Sequence, residues 1–166
     1  GEDSRLFNPI KGGGTLLDIG IYPIFLAYYL LGIPNNIKAS AHITPKGIDK
    51  QLAIILTYEH AHALLYSSYT HNEEMRATIA GEKGEIYMDD RWHESPNLNL
   101  VQSKVKTPKS FNFLGLGYSY EIMEASQCLR EGAIESSKWT HQNSLELMKI
   151  IDSVRKIAGI SYPSDI

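Results

Sequence analysis

Asp18 and Tyr22 are the residues whose types and spacing first suggest chemistry. They lie in Gly12-Gly13-Gly14-Thr15-Leu16-Leu17-Asp18-Ile19-Gly20-Ile21-Tyr22-Pro23, where three glycines run into an apolar helical pattern. On an α-helix residues i and i+4 share a face, so a carboxylate and a phenol are expected side by side, an acid next to a proton donor. A solvent-facing polar patch, or a hydrogen bond at a domain interface, would use the same pair without chemistry. Gly13 and Gly14 join the candidate group because glycine lets backbone approach a ligand or another domain closely. Arg5 could contact a substrate or a cofactor phosphate, although surface and interface arginines are the commoner case. His141 follows Trp139-Thr140 at the entrance to the last helix; it could line the pocket or touch a partner, while a structural role is the plainer reading.

Other chemistries find little support. His60 and His62 are two residues apart, but a metal would want a third and fourth ligand, so they read as a solvated hairpin turn and no metal is expected. Cys128 lies on a helical pattern without a paired histidine and reads as a packed thiol. Gly12 and Gly14 match the first two positions of a dinucleotide fingerprint, yet Leu17 stands at the third and no strand precedes them.

The elements that must position these residues follow from periodicity. Gly14 to Leu31 reads as a helix with apolar residues at three- and four-residue spacing, kinked at Pro23 and ended by Gly32 and Pro34. The period then changes to two. Ile37, Ala39, Ala41 and Ile43 alternate with polar residues; Leu52 to Glu59 and Ala63 to Thr70 flank a short turn. Met75 to Ala80, Glu85 to Met88, Leu98 to Gln102 and Val105 to Phe113 are further strand-like runs. Helical spacing returns from Tyr118 to Gly132 and again from Leu145 to Gly159. Strands joined by short turns must be antiparallel. The expected fold is α+β: one mostly antiparallel, open-faced sheet of about six or more strands with helices packed on one face. The uncovered face would want a second subunit.

Composition narrows the class. With 166 residues, one domain spanning 1–166 with a real core is expected. Sixteen Lys and Arg against 19 Asp and Glu give a formal net charge of −3, which argues against a bulk nucleic-acid binder. One cysteine excludes an internal disulfide and suits a reducing, cytoplasmic setting. No uninterrupted apolar run approaches a bilayer span, so no membrane partner is expected. The polar Gly1-Glu2-Asp3-Ser4-Arg5 start lacks a signal-peptide core, and its closeness to the glycine run reads as the start of an excised domain.

These residues carry a family likeness. Ser4-Arg5-Leu6-Phe7-Asn8-Pro9 leading into the glycine motif, Ile79-Ala80-Gly81-Glu82-Lys83-Gly84-Glu85-Ile86, Tyr120-Glu121-Ile122, Glu135-Ser136 and Ser144 to Asp152 resemble, in order, the C-terminal domain of the glucose–fructose oxidoreductase / inositol dehydrogenase / MocA family, in its dihydrodiol dehydrogenase-like branch. The resemblance implies an NAD(P)-dependent oxidoreductase moving hydride between nicotinamide and a carbinol carbon of a sugar, polyol or dihydrodiol. It implies an N-terminal Rossmann domain, and a family lysine in a Glu-Lys-Pro segment, neither of which this chain carries. The chain is therefore expected to be the substrate-binding and dimerising domain, inactive and without NAD or NADP when isolated. Tyr22 would be the acid–base group, helped by the lysine, and Asp18 would hold a substrate hydroxyl or orient that lysine. A homodimer or higher homo-oligomer through the sheet face is implied. The rival reading is a non-catalytic oligomerisation or ligand-binding module of the same fold.

Overall fold

The computed structural model describes residues 4–72, 74–95 and 97–165. Gly1 to Asp3, the start of the segment read as an excised domain's leader, lie outside the described residues. The chain divides into two compact units, one formed by residues 1–71 with 140–166 and the other by residues 72–139.

In the first unit, two short 3₁₀ turns, Arg5–Phe7 and Pro9–Lys11, lead into the glycines. The expected single helix from Gly14 to Leu31 is instead two pieces: a π-helical turn over Leu16–Gly20, then α1 over Ile21–Leu31. Pro23 falls in the first turn of α1, where its missing N–H costs little, so the irregularity sits ahead of the proline rather than at it. Strands β1 (Asn36–Ile43), β2 (Asp49–Thr57) and β3 (His62–Ser68) form an antiparallel sheet in the order β1-β2-β3. Alternation works as expected on β2: Leu52, Ile54 and Leu56 are buried while Ala53 and Ile55 face out. Helix α3, running His141–Ala158, lies against β1 and α1 and buries Leu147, Ile150, Ile151 and Val154. Its ends obey local rules. Thr140 and Asn143 exchange reciprocal cap hydrogen bonds at the start, and Gly159 takes the left-handed conformation at the end.

A polar bolt joins α1 to α3. The Tyr28 hydroxyl donates to Glu146 Oε2 at 2.6 Å and accepts from Asn143 Nδ2 at 2.9 Å. The hydrogen bond from Gln142 to Oε1, and then that from Tyr28, hold the Glu146 carboxyl below the usual glutamate range.

The second unit is a four-stranded antiparallel meander: β4 (Ala77–Gly81), β5 (Gly84–Met88), β6 (Asn97–Gln102) and β7 (Val105–Ser110). Ser103 and Lys104 both take positive φ between β6 and β7, as a two-residue hairpin turn requires. Pro108 is tolerated because β7 is an edge strand. Helix α2 covers Tyr118–Glu131 and stops at Gly132. Glu124 is its polar hub, accepting from Ser136 Oγ at 2.6 Å and pairing with Lys138, so its carboxyl is held below the usual range.

The α+β class and the antiparallel pairing are as the sequence implied. The strands divide into a three-stranded and a four-stranded sheet where one sheet was expected. Period and turn length report which neighbours pair; they say nothing about whether β3 pairs with β4. A second difference concerns membrane-like character. The helical stretch Pro9–Leu31 reaches the length and apolarity of a bilayer-crossing helix, because the glycines and Asp18 do not break its average. Leu16, Ile24, Ala27 and Tyr28 of this stretch are buried in the protein's own core, while Ile10, Tyr29, Leu30 and Leu31 are exposed.

Leu56 is fully buried on the middle strand. Leu56→Ala is expected to lower unfolding free energy by about 2–5 kcal/mol in urea titrations. The Glu146 contribution should be present at neutral pH and disappear as pH falls through its depressed folded value. Comparing unfolding midpoints of wild type and Glu146→Gln should show a wild-type advantage at pH 7 that vanishes by about pH 3.

Candidate active site

The site is built around the bend that joins the 3₁₀ turns to the π turn. Gly12 is left-handed at φ 67°, and the amides of Gly12, Gly13 and Gly14 donate to the carbonyls of Pro9, Asn8 and Leu6 at 3.1, 2.9 and 3.0 Å. Gly13 has no room for a side chain, since an added Cβ would lie 2.6 Å from the Leu6 carbonyl oxygen. Gly14 sits at φ +127°, where a Cβ would meet Asp49 Oδ1 at 1.9 Å. All three amides are spent inside the bend, so this segment does not fit a pyrophosphate cradle. The missing third glycine of the fingerprint and this hydrogen bonding agree.

Asp49, fully buried, receives the far side of the bend. Its Oδ2 accepts from the Leu16 amide at 2.8 Å and from Thr15 Oγ1 at 3.2 Å. Thr15 Oγ1 also meets Ser67 Oγ of β3 at 3.0 Å. Burial pushes the Asp49 carboxyl above the usual carboxylate range, and the amides of Leu16, Asp49 and Thr15 with the Thr15 hydroxyl pull it back toward the charged form. Gly20 closes the turn against β3, its Cβ position lying 3.1 Å from Ser67 Oγ.

Asp18, on the π turn, is held by the two sides of this frame. Arg5 Nη2 donates to Asp18 Oδ1 at 2.5 Å. The carboxylate is 23% exposed and the guanidinium 58%, so the pair opens to the surface. Asp18 keeps Arg5 protonated even beyond the ordinary guanidinium range. Tyr69, directly after β3, donates its hydroxyl to the Gly14 carbonyl at 2.9 Å and packs against Phe7 with ring centroids 5.5 Å apart. Burial first, then its interaction with Asp18, push the Tyr69 phenol far above its usual range, so it stays a neutral donor.

Among the sequence candidates, the structure gathers Arg5, Asp18, Gly13 and Gly14 on one bend. Tyr22 stands in the first turn of α1 and is 40% exposed. Because the π turn widens the helix at Asp18, the simple i,i+4 geometry does not carry over unchanged to Asp18 and Tyr22. His141 is an exposed first residue of α3. Two residues of the site escaped the sequence reading. Tyr69 falls inside the strand-like run Ala63 to Thr70, and only chain pairing brings it to the bend. Asp49 sits in a polar loop-like stretch, and its burial comes from an irregular register: Ile43 pairs with Asp49 while His42 pairs with Gln51, leaving Lys50 as an extra residue. Among the described residues no cluster of three or more metal-ligating side chains occurs.

Residues 1–87 match the model of the GFO/IDH/MocA C-terminal domain, and the chain belongs to that family. It is 32% identical to scyllo-inositol 2-dehydrogenase (NADP(+)) IolU of Bacillus subtilis over 96% of this chain and 48% of that protein. It is 30% identical to human trans-1,2-dihydrobenzene-1,2-diol dehydrogenase over 97% of this chain and 51% of that one. The chain thus spans about half the length of these relatives. In fold it is similar to the aldose-aldose oxidoreductase of Caulobacter crescentus in complex with glycerol, with TM-score 0.76 and 22% identity over 89% of this chain and 46% of that one. It is similar also to KijD10, a 3-ketoreductase from Actinomadura kijaniata in complex with NADP and TDP-benzene, with TM-score 0.79 and 22% identity over 92% of this chain and 48% of that one.

The Gly14 geometry gives a direct test. Gly14→Ala must both leave a positive φ and displace the Asp49 carboxylate. A stability loss of at least about 1–3 kcal/mol is expected in urea titration.

Proposed function

We propose that this chain is the single substrate-binding domain of an NAD(P)-dependent oxidoreductase that moves hydride between nicotinamide and a carbinol carbon of a sugar, polyol or dihydrodiol. The observation that carries it is the surface-opening Arg5–Asp18 pair on the glycine bend of a family-matched domain. The activities named for the relatives, on an inositol and on a dihydrodiol, are both hydroxyl oxidations, which supports a hydroxyl-bearing substrate. Asp18 would accept a hydrogen bond from a substrate hydroxyl through a carboxylate edge that Arg5 leaves open. Arg5 would fix that carboxylate and offer further N–H donors to substrate oxygens. Tyr22 would exchange the hydroxyl proton. A free phenol titrates near pH 10, so this role calls for a nearby cation, supplied from outside this chain. Gly13 and Gly14 would keep the bend close to the ligand or the cofactor domain, and His141 would line the domain interface.

The glycine bend offers no phosphate cradle, so NAD or NADP would be held by another domain of the full-length protein, of Rossmann type. The isolated domain is expected to bind neither and to be inactive. The protein would be cytoplasmic, without a membrane or nucleic-acid partner, a setting that its single thiol and net negative charge suit. The outer face of the three-stranded sheet carries exposed Ile55, Leu64 and Tyr66 around a shallow depression of about 380 Å³, which supports a homodimer or higher homo-oligomer through that face. The same face favours the second reading, a non-catalytic oligomerisation or ligand-binding module.

The full-length protein, assayed with NAD and NADP against polyols, aldoses and trans-dihydrodiols, separates these readings. Tyr22→Phe is expected to lower kcat/KM by about 10²–10⁴-fold, the range of a lost acid–base group. Asp18→Asn should lower it by at least tenfold. Wild-type rates in both variants would overturn the site assignment, and no hydride transfer by the wild-type protein on any of these substrates would leave the module reading. Leu64→Glu, which puts a charge on the open sheet face, should convert the oligomer to monomer in light scattering; an unchanged mass would remove the sheet face as the interface.

A further inference from the structure

Asp49 is a fully buried carboxylate at a place where a hydrophobic anchor would be cheaper. Its neighbours show what it holds. Oδ2 takes the Leu16 amide and the Thr15 hydroxyl, the two groups that open the π turn. Oδ1 occupies the space a side chain on Gly14 would need. The carbonyl of that same Gly14 receives the Tyr69 hydroxyl, and Tyr69 in turn acts on Asp18. One carboxylate therefore touches all three residues of the bend, Gly14, Thr15 and Leu16. The two outlets of the bend are the turn that carries Asp18 and the Gly14 carbonyl that holds the Tyr69 hydroxyl. Both Asp49 and Tyr69 stand at one end of the antiparallel β2–β3 pair, where the Tyr69 amide donates to the Lys50 carbonyl at 2.9 Å. The sheet end is thus a rigid base, and Asp49 is the group through which it grips the bend.

We propose that Asp49 is a positioning residue of the Asp18 site, acting through the Gly14–Leu16 bend to set Asp18 against Arg5 and Tyr69. Its activity readout rests on the oxidoreductase reading above; its structural readout does not. Three variants of the full-length protein test it. Asp49→Ala removes the grip. Asp49→Asn keeps an oxygen that can accept from the Leu16 amide. Val154→Ala, in the buried face of α3, weakens the same unit away from the bend.

In crystal structures, Asp49→Ala is expected to lose the Arg5–Asp18 hydrogen bond or the Tyr69–Gly14 one, while Asp49→Asn and Val154→Ala keep both. With the fastest-oxidised polyol or dihydrodiol, Asp49→Ala should lower kcat at least tenfold. Asp49→Asn should recover to within about threefold of wild type, and Val154→Ala should lower the melting temperature with kcat within twofold. A folded Asp49→Ala protein with both hydrogen bonds intact and wild-type kcat overturns the proposal. So does a kcat loss in Val154→Ala equal to that in Asp49→Ala, since that marks general destabilisation. If Asp49→Ala does not fold, Thr15→Val decides: it removes one donor to the same carboxylate and keeps the side-chain shape. A roughly threefold kcat loss is expected, and wild-type kcat overturns. Asp18→Asn at wild-type kcat would instead defeat the role given to Asp18, and no turnover by the wild type would defeat the oxidoreductase reading; in either case the crystal comparison judges Asp49.

Discussion

The hydrogen bond from the Leu16 amide to the buried Asp49 carboxylate is the constraint on which the rest of the site depends. A helix start leaves several amides without intrahelical partners, and most proteins satisfy them with a local cap or with water. Here a residue 33 positions away on β2 does so, in the interior. The consequence is that the helix cannot start anywhere else relative to the sheet. Gly14 must be a glycine, Thr15 must bridge to Ser67, and the first turn runs wide before α1 settles into regular geometry.

That arrangement explains how a carboxylate reaches the surface in a fixed pose. Asp18 is only partly exposed, and both Arg5 and Tyr69 act on it. Surface ion pairs between long flexible chains contribute little and hold geometry poorly. This pair differs because both ends are mounted on short, hydrogen-bonded turns, with Arg5 in a capped 3₁₀ turn and Asp18 in the anchored π turn. A group proposed to meet a substrate hydroxyl gains from being held before the substrate arrives.

The energetic balance of the unit places polar cost next to hydrophobic support. Asp49, Thr15 and Ser67 are buried polar residues, and they lie beside Leu16, Ile48 and Leu52, which are buried as well. A half-satisfied polar cluster would be worse than an apolar one. The Leu16 amide and the Thr15 hydroxyl compensate Oδ2, while Oδ1 is buried with no hydrogen-bond partner, so burial still holds the carboxyl above the usual carboxylate range.

The sequence by itself determined the elements and nominated several members of the candidate site. Period two marked β1 to β3, glycines marked the helix ends, and the glycine motif brought Arg5, Gly13, Gly14 and Asp18 into one proposal. These are local matters: chain stiffness, side-chain alternation and capping act over a few residues. The tertiary structure alone decided the partition into two sheets, the π turn that shifts Asp18 from the register assumed for an α-helix, and the roles of Asp49 and Tyr69. Those depend on strand register, and a single extra residue at Lys50 turns Asp49 inward against the alternation that the neighbouring residues announce. No pattern within β2 encodes that inversion, because it is set by how β1 pairs with it across the chain.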